Sequence, residues 1–374
     1  MKKKELVIFS SRLFTINNFL DDLIDSLKEQ NKITIISQID ELSSKNHKIN
    51  YINLNFDRKI NLINDLIDVF RFFFYLQKIN PDLIITITPK ISFLVSLANI
   101  FRRKKRIHFF TGQIWYNYKN IKKIIFKNFD KFILSNSSFA FVDSESQKKY
   151  LINNGFNKNK LVLINNGSIC GVDTKKFISN NNIKKSFKKK HHIKEESIIL
   201  LYCGRISKDK GFFDLINLNQ KLLSDKINSY LVVAGSDEEF IIKNLYKNKN
   251  NNFKNLIYLD YVIEINKILP IADIFIILSK REGFGMSVIE ASSCKVPIIA
   301  TNIVGLRDSV VNNHTGILIE DYKNTNDYNK ILDILKNSKI RKKFGNNGRN
   351  YVKNLFEKKN VVNFLHKEIS KSIK

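Results

Sequence analysis

Short apolar runs alternate with longer amphipathic stretches along the whole chain. Apolar runs bounded by polar or turn residues predict buried strands, and stretches with a three- to four-residue apolar spacing predict helices. In the first half the pattern predicts strands at residues 6–9, 33–37, 83–88, 107–110, 140–142 and 160–164. In the second half it predicts strands at residues 198–203, 229–234, 256–258, 274–278 and 297–300.

This alternation of strand and helix predicts an α/β protein with parallel sheets and crossover helices. The Lys- and Asn-rich segment at residues 179–196 has the most linker-like composition in the chain. Two sets of strands then predict two doubly wound, Rossmann-like domains that face a cleft. We place them at residues 1–170 and 171–350, with a helical segment at residues 351–374.

Composition agrees with a globular protein of two domains. The chain has 374 residues, of which 43% are hydrophobic, and only 4 prolines. No segment is long and apolar enough to predict a membrane-spanning helix. Its 3 cysteines, Cys170, Cys203 and Cys294, have no paired spacing, which indicates reduced thiols, a cytoplasmic location and no zinc site.

The formal net charge of +28 raises the question of an anionic partner. The excess is mostly lysine, and no Arg-rich reading helix or nucleic-acid motif accompanies it, so we predict no nucleic-acid partner. We expect the charge to favour anionic donors and peripheral contact with an anionic membrane. Candidate membrane-facing segments are the basic run from Arg102 to Arg106 and residues 119–132. The first is equally typical of a solvated helix end, and the second of a helix with one buried face.

A glycine-rich turn follows the predicted strand at residues 274–278. It contains Glu282, Gly283 and Gly285, and a predicted helix follows with Glu290 about two turns along it. The first backbone amides of a helix have no intrahelical partner, so with the helix dipole they form an anion site. Glycines here would let a ligand approach the backbone closely. An isolated Glu-Gly-x-Gly sequence is equally typical of an ordinary turn.

A second motif ends the predicted strand at residues 198–203. Gly204 and Arg205 follow the strand, and Lys210 comes five residues after the arginine. Two cations at the carboxyl end of a strand suit a diphosphate, because arginine binds it as a fork and lysine as a point charge.

Taken in order, with Gly171-Val172-Asp173 ahead of them, these segments resemble the retaining GT-B glycosyltransferases of group 1, also called family 4. The resemblance is strong over about residues 160–350. It implies a UDP-sugar donor, no obligatory metal or other cofactor, and a last helix that crosses back to the first domain. It implies catalytic roles for Glu282, Arg205 and Lys210. Donor-binding roles fall on Gly204, Gly283, Phe284, Gly285, Met286 and Glu290.

The first half departs from the family pattern. Where the family often has a glycine-rich loop after the first strand, this chain has Ser11 and Arg12. Where a histidine commonly follows the fourth strand, it has Thr111, and we assign no catalytic role to the nearby His108. Thr111, Gly112, Gln113 and Trp115 resemble a subset of capsule and O-antigen transferases that use amino sugars. We therefore predict acceptor-side roles for Ser11, Arg12 and these four residues, with Trp115 offering its ring to a sugar.

The predicted activity is retaining transfer of a sugar, such as an N-acetylated amino sugar, to a lipid-linked saccharide in surface polysaccharide synthesis. We expect the protein to act at the inner face of the cytoplasmic membrane. Two alternatives remain open at this point. One is a nucleotide-sugar epimerase on the same fold, and the other is a non-catalytic basic protein that binds membranes or nucleic acid.

Overall fold

The chain forms two compact units in the computed structural model. The structure describes residues 3–40, 43, 48–57, 60–247, 253 and 255–373. Unit 1 contains Met1–Gly171 and Lys358–Lys374, and unit 2 contains Val172–Glu357. Each unit has one parallel sheet with helices in the crossovers, so the predicted α/β class and the two Rossmann-like sheets are confirmed.

The sheet of unit 1 has seven strands in the order β3-β2-β1-β4-β5-β6-β7. Every strand pair runs parallel, and the central strands are almost wholly buried because helices cover the sheet. The strands are β1 (Lys4–Arg12), β2 (Asn31–Gln38), β3 (Asn50–Asn53), β4 (Leu83–Thr86), β5 (Arg106–Phe110), β6 (Phe139–Val142) and β7 (Leu161–Leu163).

In the described part of unit 1, six helices connect these strands. The helices are α1 (Leu13–Phe19), α2 (Asp21–Leu27), α3 (Leu62–Ile79), α4 (Pro89–Asn99), α5 (Asn120–Ser135) and α6 (Glu145–Asn153). Proline at the start of α4 suits a position where no backbone N–H is needed. One core cluster of unit 1 joins α3 and α4 to the sheet through Phe9, Phe72 and Leu94.

The sheet of unit 2 has six parallel strands in the order β10-β9-β8-β11-β12-β13. They are β8 (Ile198–Cys203), β9 (Ser229–Ala234), β10 (Leu256–Tyr258), β11 (Ile274–Ile277), β12 (Ile298–Thr301) and β13 (Gly316–Ile319). Helices pack on this sheet around one large apolar core. They are α7 (Asn181–Lys190), α8 (Phe212–Ser224), α9 (Ile241–Lys247), α10 (Met286–Ser293), α11 (Thr325–Lys336) and α12 (Ser338–Leu355).

The carboxyl-terminal segment contains two helices rather than the single one expected from residue 351 onward. Helix α12 ends at Leu355, and α13 (Lys358–Ile373) begins after a short break. Helix α13 belongs to unit 1, where it packs against α2. Lys358 forms a 2.7 Å ion pair with Asp22, and the His366 ring lies 3.0 Å from the Ser26 hydroxyl.

Four local features differ from the sequence prediction. The edge strands β3 and β13 were not predicted, and β1 continues through Ser11 to Arg12, where we expected a loop. The segment at residues 179–196 contains helix α7 rather than a linker. Its Ile183 and Phe187 pack on the core of unit 2, and Lys188 is buried with its ammonium bonded to the carbonyl oxygen of Ser197.

The basic run from Arg102 to Arg106 is not uniformly at the surface. Arg106 is fully buried in unit 1, where its guanidinium donates to Ser92 O at 2.9 Å and Ser137 Oγ at 3.0 Å. Burial lowers the pKa of Arg106 to about 9. Arg106 therefore has a structural role inside unit 1. Only residues 102–105 of this run can contribute to a basic surface.

No helix in the part of the chain that the structure describes is both long and apolar enough to cross a bilayer.

Candidate functional site

The two predicted donor motifs meet at the carboxyl edge of the sheet in unit 2. Strand β8 pairs with β11, and β11 pairs with β12, so the loops that follow these three strands are neighbours. In open parallel sheets, ligands bind in the crevice outside these strand ends.

An ion pair joins the motifs. Lys210 Nζ donates to Glu282 Oε1 at 2.6 Å, and the hydroxyl of Ser279 donates to the same oxygen at 2.7 Å. Ser279 is fixed in turn, because its carbonyl oxygen accepts a 2.6 Å hydrogen bond from Thr301 at the end of β12. The side chains of Lys210 and Glu282 are only 19% and 13% exposed. Glu282 is thus held in one orientation by groups from three neighbouring strand ends.

A second charged cluster surrounds Asp209. Its carboxylate lies 3.7 Å from Arg205 and 3.5 Å from Arg281, and it accepts a 2.5 Å hydrogen bond from Ser207. Burial raises the pKa of Asp209, but the Ser207 hydrogen bond and the nearby cations outweigh it, so the pKa lies below its usual value. Asp209 therefore remains ionised and holds both arginines at this edge. Its position between Arg205 and Lys210 is the only sequence signal that pointed to it.

Gly285 is the N-cap of helix α10 and adopts the left-handed conformation, with φ of 70°. An added Cβ there would lie 2.5 Å from Leu306, so the turn requires glycine for its backbone and packing. Its N-cap residue, a glycine, makes no side-chain hydrogen bond to the helix, so the first turn is a candidate anion site.

The other predicted donor residues differ in exposure. Met286 and Glu290 are half-buried on α10 and Gly283 is half-buried in the turn, as Gly204 is after β8. Phe284 is instead a core residue, since it is buried with its ring 5.1 Å from that of Phe356. Only the backbone of Phe284 is placed to contact a ligand.

Gly305 packs directly on the backbone of the Glu282 turn. An added Cβ at Gly305 would lie 2.2 Å from Glu282 O and 2.7 Å from Gly283 O. Both are backbone atoms that cannot move without moving the turn. The position of Glu282 therefore depends on the loop after β12, a constraint that neither motif revealed.

Most of the predicted acceptor-side residues lie at the carboxyl edge of the sheet in unit 1. The amide of Ser11 donates to the hydroxyl of Thr88 at 2.9 Å, which joins the ends of β1 and β4. Within the described chain, Arg12 Nε and Gln113 Nε2 are buried atoms without a hydrogen-bond partner. Gln113 is only 4% exposed, and an unpaired buried donor is costly unless a ligand or water meets it. Thr111 and Gly112 are half-buried beside it.

The prediction that Trp115 offers its ring to a sugar is wrong. Trp115 is 0% exposed, and its ring stacks on Tyr150 and Phe156 with centroids 5.1 and 6.0 Å away. Its indole N–H donates to Asp130 Oδ2 at 2.7 Å. Burial raises the pKa of Asp130 to about 7, although this hydrogen bond favours the ionised form.

His108 is also a core residue, with 1% of its surface exposed. Its Nδ1 lies 3.0 Å from the hydroxyl of Thr86, and burial together with the charge of Arg106 lowers its pKa to about 3. It is a neutral structural side chain.

For metal binding, the described residues contain no group of three or more His, Cys, Asp or Glu side chains that could hold an ion. We name no metal ligands.

Comparison with protein families covers most of the chain. Residues 183–351 match the model of glycosyl transferases group 1, and residues 16–172 match that of glycosyltransferase family 4.

Individual relatives point the same way. A capsular polysaccharide biosynthesis glycosyltransferase, CapM, of Staphylococcus aureus is 30% identical over 89% of this chain and 88% of its own length. N,N'-diacetylbacillosaminyl-diphospho-undecaprenol alpha-1,3-N-acetylgalactosaminyltransferase of Campylobacter jejuni is 30% identical over 54% of this chain and 52% of its own. The structure of Anabaena Alr3699/HepE in complex with UDP and glucose superposes with a TM-score of 0.77 and 14% identity, covering 100% and 99% of the two chains. That last likeness establishes the shared fold.

Proposed function

This chain belongs to the group 1 glycosyltransferases, and from that membership we propose that it transfers a sugar from a UDP-sugar to a lipid-linked saccharide. The product would serve surface polysaccharide synthesis, the role named for the Staphylococcus aureus relative. The name of the Campylobacter jejuni relative supports a diphospho-polyprenol acceptor and an N-acetylated amino sugar as the donor sugar. The observation that carries the proposal is the contact between Lys210 and Glu282 beside the amino-terminal end of α10.

In this proposal the donor diphosphate lies at the carboxyl edge of unit 2. Arg205 is half-exposed there, so its guanidinium can reach a ligand while Asp209 restrains it. A lysine has three donors, so Lys210 can keep its bond to Glu282 and give another to a phosphate oxygen. The first amides of α10 supply further donors. UDP in the Anabaena structure supports uridine as the nucleoside.

The chemical step is departure of UDP with transfer of the sugar and retention at the anomeric carbon. Negative charge develops on the diphosphate as its bond to the sugar breaks. Arg205, Lys210 and the α10 amides are fixed before reaction, so they stabilise that charge with little reorganisation. Glu282 orients the sugar hydroxyls, and Glu290 accepts hydrogen bonds from the ribose. We assign no enzymic nucleophile.

The acceptor is proposed to bind at the edge of unit 1. The buried, unpaired donors of Arg12 and Gln113 suit the oxygen atoms of a saccharide or its diphosphate. Ser11, Thr111 and Gly112 line the same strand ends, whereas the buried ring of Trp115 offers no face to a saccharide.

The central test measures UDP release with and without a polyprenyl diphosphate-linked saccharide. Release that requires the acceptor, with formation of a longer saccharide, is the expected result. UDP release or sugar rearrangement without any acceptor would favour a hydrolase or an epimerase. Salt-sensitive binding to nucleic acid that is unaffected by Glu282→Gln, with no UDP release, would favour a basic binding protein. A thermal-shift panel of nucleotide sugars identifies the donor, because a ligand of the native state raises its stability.

We also propose peripheral attachment to the inner face of the cytoplasmic membrane through unit 1. Each Lys or Arg near an anionic bilayer contributes about 1 kcal/mol, so residues 102–105 and the lysines of α5 would give reversible binding. The protein should sediment with anionic but not neutral vesicles, and salt should release it.

Replacing Arg102, Arg103, Lys104 and Lys105 with serine should weaken vesicle binding. The matched control replaces four exposed lysines of unit 2 with serine, namely Lys336, Lys339, Lys342 and Lys343. Equal loss of binding in both variants would attribute it to total charge and contradict a docking role for residues 102–105.

A further inference from the structure

Unit 1 contains an apolar groove with a volume of about 340 Å³. Its walls come from α3, α4 and α5, and its floor includes Leu94 and Ile133, which are almost fully buried. This volume falls in the range of about 300–1,000 Å³ that is typical of small-molecule sites.

The charges that line the groove are already engaged. Asp65 forms a 2.5 Å ion pair with Lys90. Asp130 accepts the indole N–H of Trp115, and its raised pKa favours a neutral carboxyl group. The remaining lining residues are apolar or aromatic, so the interior of the groove suits a neutral hydrocarbon.

The rim combines exposed apolar side chains with positive charge. Leu62 and Leu66 on α3 line the groove and are 82% and 59% exposed. Exposed apolar side chains around a recess mark an interaction site. Helix α5 also lines the groove, and helical spacing puts two of its lysines on the same face as the lining residues Phe126 and Asp130. These are Lys122, four residues before Phe126, and Lys123, seven residues before Asp130.

The charge decides which occupant fits. A second copy of this chain would bring two lysine-rich faces together within a protein of net charge +28, which repulsion opposes. A flat bilayer surface would meet the protruding rim but would leave the recess unfilled. A single hydrocarbon chain that ends in an anionic group matches both the apolar interior and the cationic rim.

We infer that this groove binds the isoprenoid tail of a polyprenyl diphosphate, with Lys122 and Lys123 of α5 facing its anionic end. The inference rests on the proposed transfer to a lipid-linked acceptor and names the part of unit 1 that recognises the lipid. It assigns the exposed leucines of α3 to substrate binding.

Trp115 is the only tryptophan of the chain and is buried at the boundary of the groove, so its fluorescence is sensitive to occupancy. Farnesyl diphosphate is a soluble probe that needs neither a bilayer nor a sugar donor. Its addition should change Trp115 fluorescence saturably, whereas inorganic diphosphate should not. An equal response to inorganic diphosphate, or no response to farnesyl diphosphate, would overturn the groove assignment.

Two double variants of α3 localise the binding. Leu62→Asp with Leu66→Asp changes the groove rim, and we expect the Kd for farnesyl diphosphate to rise about tenfold or more. The control, Phe70→Asp with Phe74→Asp, adds the same charge at the same spacing on exposed residues outside the lining. It should leave the Kd unchanged. All four positions are exposed, so both proteins should fold.

The result is distinguishable from failure of the proposed function. The wild-type protein could bind UDP and transfer sugar to a short-chain acceptor but give no response to farnesyl diphosphate. That result would contradict only the groove inference. Binding of farnesyl diphosphate without any release of UDP would instead contradict the proposed transfer reaction. If the Leu62 and Leu66 changes impair binding to isoprenoid-free anionic vesicles but not to farnesyl diphosphate, the face docks on bilayers and the inference is wrong.

Discussion

Lys210 Nζ lies 2.6 Å from Glu282 Oε1 and so connects two motifs that stand 72 residues apart in the chain. Adjacent strands β8 and β11 bring them together. Lys210, which we propose binds the donor diphosphate, therefore also orients Glu282, the carboxylate that we propose holds the donor sugar.

This contact predicts strong non-additivity between the two residues. Lys210→Ala frees Glu282, and Glu282→Gln removes the charge that holds Lys210, so the double variant should lose much less than the sum of the single losses. We expect a coupling of about 0.5–3 kcal/mol in a double-mutant cycle on kcat/KM. The matching cycle with exposed Lys208→Ala should give no coupling, and additive losses for Lys210 would show that the ion pair plays no part in the working enzyme.

The paired glutamates should separate kinetically. Glu282→Gln should chiefly lower kcat, because a misplaced sugar is farther from its reactive geometry. Glu290→Gln should chiefly raise the KM for the donor, because it weakens ribose binding equally in the ground and transition states. Steady-state kinetics with the true donor measure both, and wild-type constants in both variants would refute the paired roles.

Gly305→Ala should impair the site by displacing the Glu282 turn. The added Cβ would lie 2.2 Å from Glu282 O, and we expect kcat to fall about tenfold or more through misorientation. Gly345→Ala is a matched control, since its Cβ would lie 2.0 Å from Lys295 O, away from the strand ends. Equal loss of activity per folded molecule in both variants would show that the loss comes from general destabilisation and not from displacement of the Glu282 turn.

Asp130 should make the stability of the protein depend on pH. Its pKa is about 7 when folded, against an ordinary value of 3.8, so the unfolded chain releases its proton first as pH rises. The free energy of unfolding should therefore fall as pH increases from about 4 to 7. Asp130→Asn keeps an acceptor for Trp115 and should remove this decrease, making the variant more stable by a few kcal/mol at about pH 8.

Urea unfolding of wild type and Asp130→Asn at about pH 5 and pH 8 checks this prediction. His108 has the opposite dependence. Its pKa is about 3 when folded and ordinarily 6.5, so its contribution to stability is present above pH 6.5 and is lost as pH falls towards 3. That contribution is common to both proteins and cancels in their difference. A difference that does not change between the two pH values would contradict the buried, raised-pKa description of Asp130.

Sequence patterns predicted the fold wherever burial dominates the choice of residue. Central strands such as β8 and β11 are continuous apolar runs because helices cover both faces. The edge strand β3 is half-exposed and reads Asn-Tyr-Ile-Asn, so its pattern resembles a loop. Helix α7 was hidden by its lysines, whose composition resembles a linker although Ile183 and Phe187 anchor it.

The candidate site was predicted in part for a similar reason. Local spacing placed Arg205 and Lys210 after one strand and Glu282 after another, but it could not predict that their side chains meet. Trp115 shows what local sequence cannot decide, because a tryptophan near strand ends is equally suited to stacking on a sugar and to packing in a core. Its packing depends on Asp130, Tyr150 and Phe156, which come from later elements.

The most direct test of donor binding at unit 2 is calorimetric titration of UDP into wild type, Arg205→Ala and Lys210→Ala, with Lys208→Ala as the control. Each lost charge-assisted hydrogen bond costs roughly 1.5–3 kcal/mol, so the affinity should fall about ten- to a hundredfold in the first two variants. The control should bind like wild type. Unchanged UDP affinity in both Arg205→Ala and Lys210→Ala would contradict the assignment of this edge as the donor site.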